Sequence, residues 1–148
     1  MMAFFMEQKM ELKIKEMRPK AQMPSRGTDG AAGFDLYCAE QMNLYPGLVA
    51  KVPTGIALEI PTGCTGLICT RSSTALKNLT VFLTVVDSDY RGEIFITVRN
   101  DGEEAWNLNK GDRIAQMLII PLADVFPVRA IELSETERGS GGYGSTGR

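Results

Sequence analysis

An acidic side chain at the end of an apolar run is the first feature of this sequence that could do chemistry. Residues 81–86 are apolar or β-branched, and Asp87 follows them directly. A charge at the dry end of a strand is costly unless it is paired or has a function. Tyr90 comes three residues later, and Arg91-Gly92 then marks a turn before a second apolar run. This corner could place a base and an aromatic ring beside one substrate, or it could be an ordinary β-corner with solvated acids.

The absence of histidine narrows the chemistry open to this chain. Serine and cysteine mechanisms that use an imidazole base are excluded, and so are metal sites with histidine ligands. A carboxylate is therefore the expected base for any proton transfer. A bound metal would be a hard cation held through oxygen atoms, such as Mg²⁺.

Composition and charge predict one intracellular domain. A chain of 148 residues is long enough for one domain and short for two separate cores. Its net charge of −2 argues against duplex nucleic acid as a partner. We expect no membrane segment and no secretory signal, because no apolar run reaches the required length. The cysteines lack CxxC spacing and are predicted to be reduced, buried thiols at Cys38, Cys64 and Cys69.

Short apolar stretches separated by proline and glycine predict an all-β domain of the sandwich or jelly-roll type. The predicted strands cover residues 11–15, 32–38, 48–52, 55–60, 66–69, 79–86, 94–98, 113–120 and 125–133. We expect an N-terminal extension at 1–10, a β-domain at 11–133 and a flexible, glycine-rich C-terminal arm at 134–148.

One segment departs from the strand pattern and predicts a short helix near residues 72–78. Ser72 or Ser73 could cap this helix. A helix N-terminus with two hydroxyl groups beside Arg71 suits an anion, although a plain capped turn explains the same residues.

Two polar residues inside predicted strands could also belong to a site. Gln116 is the one neutral polar residue in its strand, and a buried amide either bonds backbone groups or faces a ligand. Asp35 points away from the apolar face of its strand and could equally be a solvated edge residue.

The C-terminal arm contains aromatic, hydroxyl and guanidinium side chains that a flexible linker does not require. Tyr143 is flanked by glycines and is followed by Ser145 and Thr146, between Arg138 and Arg148. Such a segment could close over a nucleotide, with the ring on the base and the hydroxyl and guanidinium groups on phosphate. The P-loop pattern GxxxxGK[ST] is absent, so phosphates would be held in another way.

Five segments, taken in order, resemble the motifs of the trimeric dUTPase family. They are AAGFDL at 31–36, RSS at 71–73, VVDSDYRGE at 85–93, KGDRIAQ at 110–116 and RGSGGYGSTG at 138–147. Each segment alone is weakly specific, but five in order over most of the chain are strongly specific. The resemblance implies a jelly-roll-like dUTPase fold with a C-terminal arm that closes over the active site.

The resemblance implies hydrolysis of dUTP to dUMP and pyrophosphate, which keeps uracil out of DNA and supplies dUMP for dTMP synthesis. Asp87 corresponds to the carboxylate that orients and deprotonates the water attacking the α-phosphate. Tyr90 corresponds to the ring beneath the deoxyribose, where a 2′-hydroxyl would clash. Asp35 corresponds to the acid that reaches Mg²⁺ through water, and the magnesium neutralises and aligns the triphosphate.

A larger set of substrate contacts is implied by the same motifs. The second and fourth motifs would contact the phosphates through Arg71, Ser72, Ser73 and Gln116. The arm would cover the base and the outer phosphates with Arg138, Tyr143, Gly144, Ser145 and Thr146. The backbone of a tight hairpin before the catalytic aspartate would read uracil at Thr84, Val85 and Val86.

The resemblance also implies a homotrimer with three shared sites, in which the polar spacer at 134–137 lets the arm cross to a neighbour. One position departs from the family, because Thr84 stands where a glycine normally precedes the catalytic aspartate by three residues. This departure is the argument for an alternative, a dUTPase-fold regulatory or protein-binding module with lost or reduced catalysis. A dCTP deaminase shares the fold, but this chain is short for one. The intact Asp87, Tyr90 and arm motif favour the active dUTPase.

Overall fold

Two four-stranded antiparallel sheets around one core form the body of the molecule. The computed structural model describes residues 9–142, Gly144 and Gly147. Its elements are β1 (Lys13–Glu16), β2 (Phe34–Tyr37), β3 (Met42–Leu44), β4 (Val49–Glu59), β5 (Cys64–Thr70), α1 (Ser72–Ala75), β6 (Leu79–Val81), β7 (Thr84–Val86), β8 (Glu93–Asn100), β9 (Trp106–Leu108) and β10 (Arg113–Pro121). The first sheet has the order β1-β4-β8-β6 and the second the order β2-β10-β5-β7, while β3 and β9 form a two-stranded ribbon.

The core lies between the two sheets because each sheet contributes an apolar face. Alternate residues of β8 are buried, as expected for a strand with one face on a core. Val52 and Ile96 of the first sheet join Leu36, Ile68 and Met117 of the second in a single buried cluster. The predicted all-β, jelly-roll-like fold with one short helix is confirmed.

The strand β4 runs through a segment that the sequence predicts to be a break. Its pairing with β8 shifts between Pro53 and Ala57, and Gly55 lies in this bulge with a φ of +73°. The buried Thr54 donates its hydroxyl to the carbonyl oxygen of Ile94 at 2.7 Å and closes the bulge. The prediction of two separate strands was wrong because a bulge tolerates proline within a strand.

A second correction concerns residues 79–86, which the sequence predicts to be one continuous strand. The structure divides them into β6, which pairs with β8, and β7, which pairs with β5 in the other sheet. Phe82 and Leu83 carry the chain from one sheet to the other. The strands β6 and β7 do not pair with each other, so the expected tight hairpin before Asp87 was wrong.

The helix α1 has four residues, fewer than predicted. Arg71 is its N-cap residue and no side chain makes a capping hydrogen bond, so the expected capping by Ser72 or Ser73 was wrong. Thr74 fixes the helix instead, because its buried hydroxyl donates to the carbonyl oxygen of Ile114 at 3.1 Å. Within the described part of the chain, no helix is long and apolar enough to cross a membrane.

The cysteines are free thiols, as the sequence predicts. Cys38 and Cys64 are buried, whereas Cys69 is only partly so. Burial raises the pKa of the Cys38 thiol, which keeps it protonated and unreactive at neutral pH. The intracellular location that these residues favour stays a prediction.

Residues 122–133 leave the domain without joining a sheet. The strand predicted at 125–133 is not formed. The large apolar side chains of this segment are exposed, at Leu122, Val125, Phe126, Val128, Ile131 and Leu133. Such a run in contact with water is unfavourable and typically marks an interaction surface.

The crowding at the β4 bulge can be tested by replacing each of two glycines with alanine. An alanine with positive φ is disfavoured by about 1–2 kcal/mol, and at Gly55 the new Cβ would lie 2.9 Å from the Cβ of Ala21. Gly47 has a φ of +74°, but a Cβ there meets no atom within 4 Å, so Gly47→Ala is the matched control. We expect Gly55→Ala to lower the free energy of unfolding by at least about 1 kcal/mol more than the control, because overpacking adds to the backbone strain.

The measurement is urea denaturation of both variants at one protein concentration. Equal losses of stability would show that Ala21 and its neighbours move aside at no cost.

Candidate active site

The corner between β7 and β8 holds Asp87 and Tyr90 in a fixed arrangement. The Tyr90 amide donates to the Asp87 carbonyl oxygen at 3.1 Å, which closes a turn. The Tyr90 hydroxyl donates to the carbonyl oxygen of Glu93, also at 3.1 Å. A Cβ added at Gly92 would come within 2.6 Å of the ring carbon Cζ, so the ring itself requires glycine there.

The carboxylate of Asp87 is exposed at a cleft of about 260 Å³. Thr84 and Tyr90 line this cleft with Lys51 and Phe95 of the first sheet. The expectation of a charge at a dry strand end was wrong, because burial ends at Val86 and the next residue reaches solvent. Asp87 takes part in none of the ion pairs among the described residues, so its oxygens are available to accept hydrogen bonds from water.

The residues predicted to read the base lie on an edge strand rather than in a hairpin. β7 is the last strand of its sheet, so its side away from β5 carries unpaired backbone groups. The Val86 carbonyl oxygen accepts a hydrogen bond from the Thr65 hydroxyl of β5 at 2.9 Å. Because alternate residues of a strand direct these groups to opposite sides, the N–H and C=O of Val85 face the open edge.

Thr84 adopts this extended geometry without backbone strain. Lys20 and Asn78 are the non-glycine residues with positive φ in the described part of the chain, so Thr84 has a negative φ. Its hydroxyl donates to the carbonyl oxygen of Phe82 at 3.1 Å. A threonine is therefore compatible with this position, since an edge strand does not need the φ > 0 that favours glycine.

An ion pair between Arg71 and Asp35 lies at the opposite end of the second sheet. The Nε atom of Arg71 is 2.7 Å from Oδ1 of Asp35, and Nη1 of Arg113 is 3.6 Å from Oδ2. Arg71 Nη1 also donates to the hydroxyl of Ser73 at 3.1 Å, while Ser72 is exposed in the first turn of α1. The side chain of Asp35 is only 13% exposed, so its interpretation as a solvated edge residue was wrong.

Gln116 lies beside this ion pair on β10. It is opposite Asp35 in β2 and opposite Cys69 in β5. Its Nε2 atom donates to the carbonyl oxygen of Thr70 at 3.0 Å, so the amide has a backbone partner. An amide NH₂ group has two hydrogens, and the second remains for a phosphate oxygen.

A cavity of about 540 Å³ opens next to Arg71 and contains two cations that the sequence reasoning missed. Lys77 and Arg113 line it together with Arg71 and Ser73. The Lys77 ammonium lies 5.1 Å from the ring centre of Trp106. Three cations around one cavity attract anions. The position of Arg113 within the fourth motif could have indicated from sequence that it lies near the site. Lys77, in contrast, reaches the cavity only because of where α1 lies in the fold.

The strand β5 separates these two groups of residues. β7 runs antiparallel to β5 with Val86 opposite Gly66, which places Asp87 level with Thr65. Arg71 follows the last residue of β5, six positions after Thr65. A strand rises about 3.3 Å per residue, so the two ends are about 20 Å apart. One chain therefore does not bring Asp87 and Arg71 to the same phosphate group.

The described residues of the C-terminal arm, 134–142, Gly144 and Gly147, do not complete either group within one chain. Arg138 is exposed, and its Nε atom donates to the carbonyl oxygen of Gly141 in the arm itself at 2.8 Å. Gly144 is also exposed and accepts a hydrogen bond only from Gly147, at 3.2 Å, among the backbone bonds described. Tyr143, Ser145 and Thr146 lie outside the described residues.

A magnesium ion near Asp35 would have to be held mainly by the phosphates of a bound ligand and reach this carboxylate through water. Magnesium prefers one or two carboxylates together with phosphate oxygens, and it keeps several of its waters. The Asp35 oxygens already face Arg71 and Arg113, which suits contact through water rather than direct ligation. No group of three His, Cys, Asp or Glu side chains that could hold an ion converges among residues 9–142.

Comparison with known proteins places these features in one family. The family model for dUTPase matches residues 19–147. The deoxyuridine 5'-triphosphate nucleotidohydrolase of Nautilia profundicola is 44% identical over 142 residues, which cover 94% of this chain and 100% of that protein. A mutant of the Staphylococcus bacteriophage 80alpha dUTPase, solved with dUpNHpp, superposes with a TM-score of 0.89 at 29% identity, over 93% of this chain and 99% of that one.

A further solved structure concerns metal binding. It is a mutant dUTPase from phage phi11 of S. aureus, and it describes the coordination of a structural Mg(II) ion. It matches with a TM-score of 0.78 at 26% identity, over 82% of this chain and 97% of that one. Since the family model spans all five motifs and the sandwich superposes on solved members, the chain belongs to the dUTPase family.

Proposed function

We propose that Asp87 is the general base in the hydrolysis of dUTP to dUMP and pyrophosphate, the reaction that this chain catalyses. The observation that carries the proposal is the position of Asp87. Its carboxylate is exposed and outside the ion pairs of the described residues, and it shares a cleft with Tyr90. In a chain without histidine, a carboxylate is the expected proton acceptor. The alternative of a purely regulatory module is not favoured.

In the proposed step, a water molecule loses a proton to Asp87 and its oxygen forms a bond to the α-phosphorus. The bond from that phosphorus to the oxygen bridging it to the β-phosphate breaks, and pyrophosphate leaves. Phosphoryl transfer depends mostly on positioning and on neutralising charge, which the arginines can supply. A magnesium ion bound to the triphosphate would neutralise further charge and align the chain of phosphates, with Asp35 reached through water.

The sugar and the base fit the same cleft. The exposed ring of Tyr90 can pack beneath the deoxyribose, as the family resemblance implies, so that a 2′-hydroxyl would clash. The outward N–H and C=O of Val85 can pair with the uracil edge. Cytosine presents a donor where uracil presents an acceptor, and the resulting unpaired group costs about 1–3 kcal/mol. The open edge of β7 thus supports recognition of uracil despite Thr84.

The phosphate contacts must come from a second copy of the chain. Arg71, Ser72, Ser73 and Gln116 lie at the far end of β5 from Asp87, farther away than a triphosphate can reach from the α-phosphate. A site built between chains brings the two ends together, and this supports the homotrimer with three shared sites. The exposed apolar side chains at 122–133 support it as well, because a neighbouring chain can bury them.

The arm at 134–148 would then cross to a neighbouring site. It is attached through a solvent-exposed segment that is neither helix nor strand, which leaves it room to reach a neighbour. In this position Tyr143 would cover the uracil ring, next to Gly144. Arg138, Ser145 and Thr146 would hold the outer phosphates, and closure would exclude water that does not take part in the reaction.

Replacement of Asp87 by asparagine tests the base. We expect Asp87→Asn to lower kcat by about 10²–10⁴-fold, because an amide cannot accept the proton. Binding of a non-hydrolysable dUTP analogue should stay close to wild type. Asp89→Asn, which alters an exposed carboxylate in the same corner, is the matched control. Turnover of dUTP by Asp87→Asn at the wild-type rate would rule out Asp87 as the base.

Mixed oligomers test whether the site is shared. Asp87→Asn and Arg71→Gln each damage one end of the sheet, so each variant alone should be nearly inactive. When the two chains are unfolded together and reassembled in equal amounts, about one quarter of the sites should combine an intact Asp87 with an intact Arg71 from another chain. We expect pyrophosphate release to recover to that extent. If verified mixed oligomers stay inactive, both residues serve a site within one chain.

Two truncations separate assembly from closure. Deletion of residues 138–148 should leave the trimer intact and remove most activity, because only the closing arm is lost. Deletion of residues 122–148 also removes the exposed apolar segment. The trimer should then dissociate into single chains at a higher protein concentration than the wild type does. Light scattering gives the mass and a pyrophosphate assay gives the activity. A monomeric wild-type chain at working concentration, or full activity without the arm, would contradict the proposal.

A further inference from the structure

A half-buried ion pair lies directly behind the corner that carries Tyr90. The carboxylate of Glu93 accepts from Nε of Arg18 at 2.6 Å and from Nη2 at 3.1 Å, a bidentate arrangement. The Glu93 side chain is only 15% exposed. Neither residue takes part in the reaction described above, although Glu93 lines the cleft of Asp87.

Glu93 also holds the bulge of β4. Its Oε1 atom accepts the backbone N–H of Gly55 at 2.9 Å, a group that lies in the interval where the β4–β8 pairing shifts. The Gly55 carbonyl oxygen in turn accepts the N–H groups of Met17, at 2.7 Å, and of Arg18, at 3.2 Å. Arg18, Gly55 and Glu93 therefore form a closed set of hydrogen bonds between three segments of the chain.

The same residue anchors the tyrosine ring. The main-chain oxygen of Glu93 accepts the Tyr90 hydroxyl, and Gly92 lies in contact with the ring. A second attachment of the corner, between Arg91 and Glu59, is long at 3.4 Å and exposed on both sides. An exposed pair of this kind contributes little rigidity. Arg91 also donates to the carbonyl oxygens of Ser88 and Tyr90 within the corner, but the bond to Glu93 is the one that ties the ring hydroxyl to β8.

We propose that Arg18 and Glu93 are positioning residues that hold the Tyr90 ring where it discriminates deoxyribose from ribose. The proposal rests on the proposed role of Tyr90 beneath the sugar. Loss of the ion pair frees the Gly55 N–H and the start of β8, so the ring can move and admit a 2′-hydroxyl. Steric discrimination by a ring requires that the ring cannot yield, because displacements of about 1 Å already change rates strongly.

The test compares kcat and KM for dUTP and UTP in Glu93→Gln and Arg18→Ala. We expect the ratio of kcat/KM for dUTP to that for UTP to fall about fivefold to tenfold, with most of the change for dUTP in KM. Tyr90→Phe removes the hydroxyl that binds Glu93 and should give a similar fall. Adding Glu93→Gln to Tyr90→Phe should then give less than the product of the two single effects.

Two control variants remove exposed carboxylates that pair with Arg18 or with Arg91. Glu40→Gln deletes the other partner of Arg18, at 2.9 Å, and Glu59→Gln deletes the partner of Arg91. Both should keep the wild-type ratio. A conservative Arg18→Lys variant, which keeps the charge but not the bidentate geometry, should lie between wild type and Arg18→Ala.

The outcomes separate this proposal from the one on which it rests. If Tyr90→Ala lowers the ratio and Glu93→Gln only lowers the melting temperature, the ion pair is merely structural and the positioning role is overturned. If Tyr90→Ala itself leaves the ratio unchanged, the role of Tyr90 beneath the sugar is wrong, and the positioning role is overturned with it. The role of Asp87 as base is unaffected by either result.

Discussion

The antiparallel pairing of β5 with β7 on one side and with β10 on the other is the constraint on which the site depends. It fixes Asp87 at one end of β5 and Arg71 with Gln116 at the other. A hydrogen-bonded ladder cannot slip without turning every buried side chain to the wrong face. The separation between the two ends is therefore a rigid property of the chain.

The two ends differ in how their charges are held. Asp35 is nearly buried and is neutralised by Arg71 and Arg113, which orients the guanidinium groups before any anion arrives. Asp87 is exposed and takes part in none of the ion pairs among the described residues. The same residue type thus has two different surroundings in this fold.

Much of the fold and of the site could be predicted from the sequence, and the errors have identifiable physical causes. The alternation of apolar residues correctly predicted strands such as β2 and β8. The run at 79–86 was assigned to one strand because periodicity does not reveal where a chain changes sheets. Pro53 was taken for a break because the bulge that accommodates it is held by hydrogen bonds to Glu93 and Ile94, which are distant in sequence.

The sequence by itself determined the family and the reaction, because the motif residues are local facts of the chain. The tertiary structure alone decided which residues meet. It brought Lys77 and Arg113 to the cavity of Arg71, placed Glu93 and Arg18 behind Tyr90, and kept Asp87 away from Arg71. These relations follow from strand register and sheet order, which depend on contacts between residues far apart in the chain.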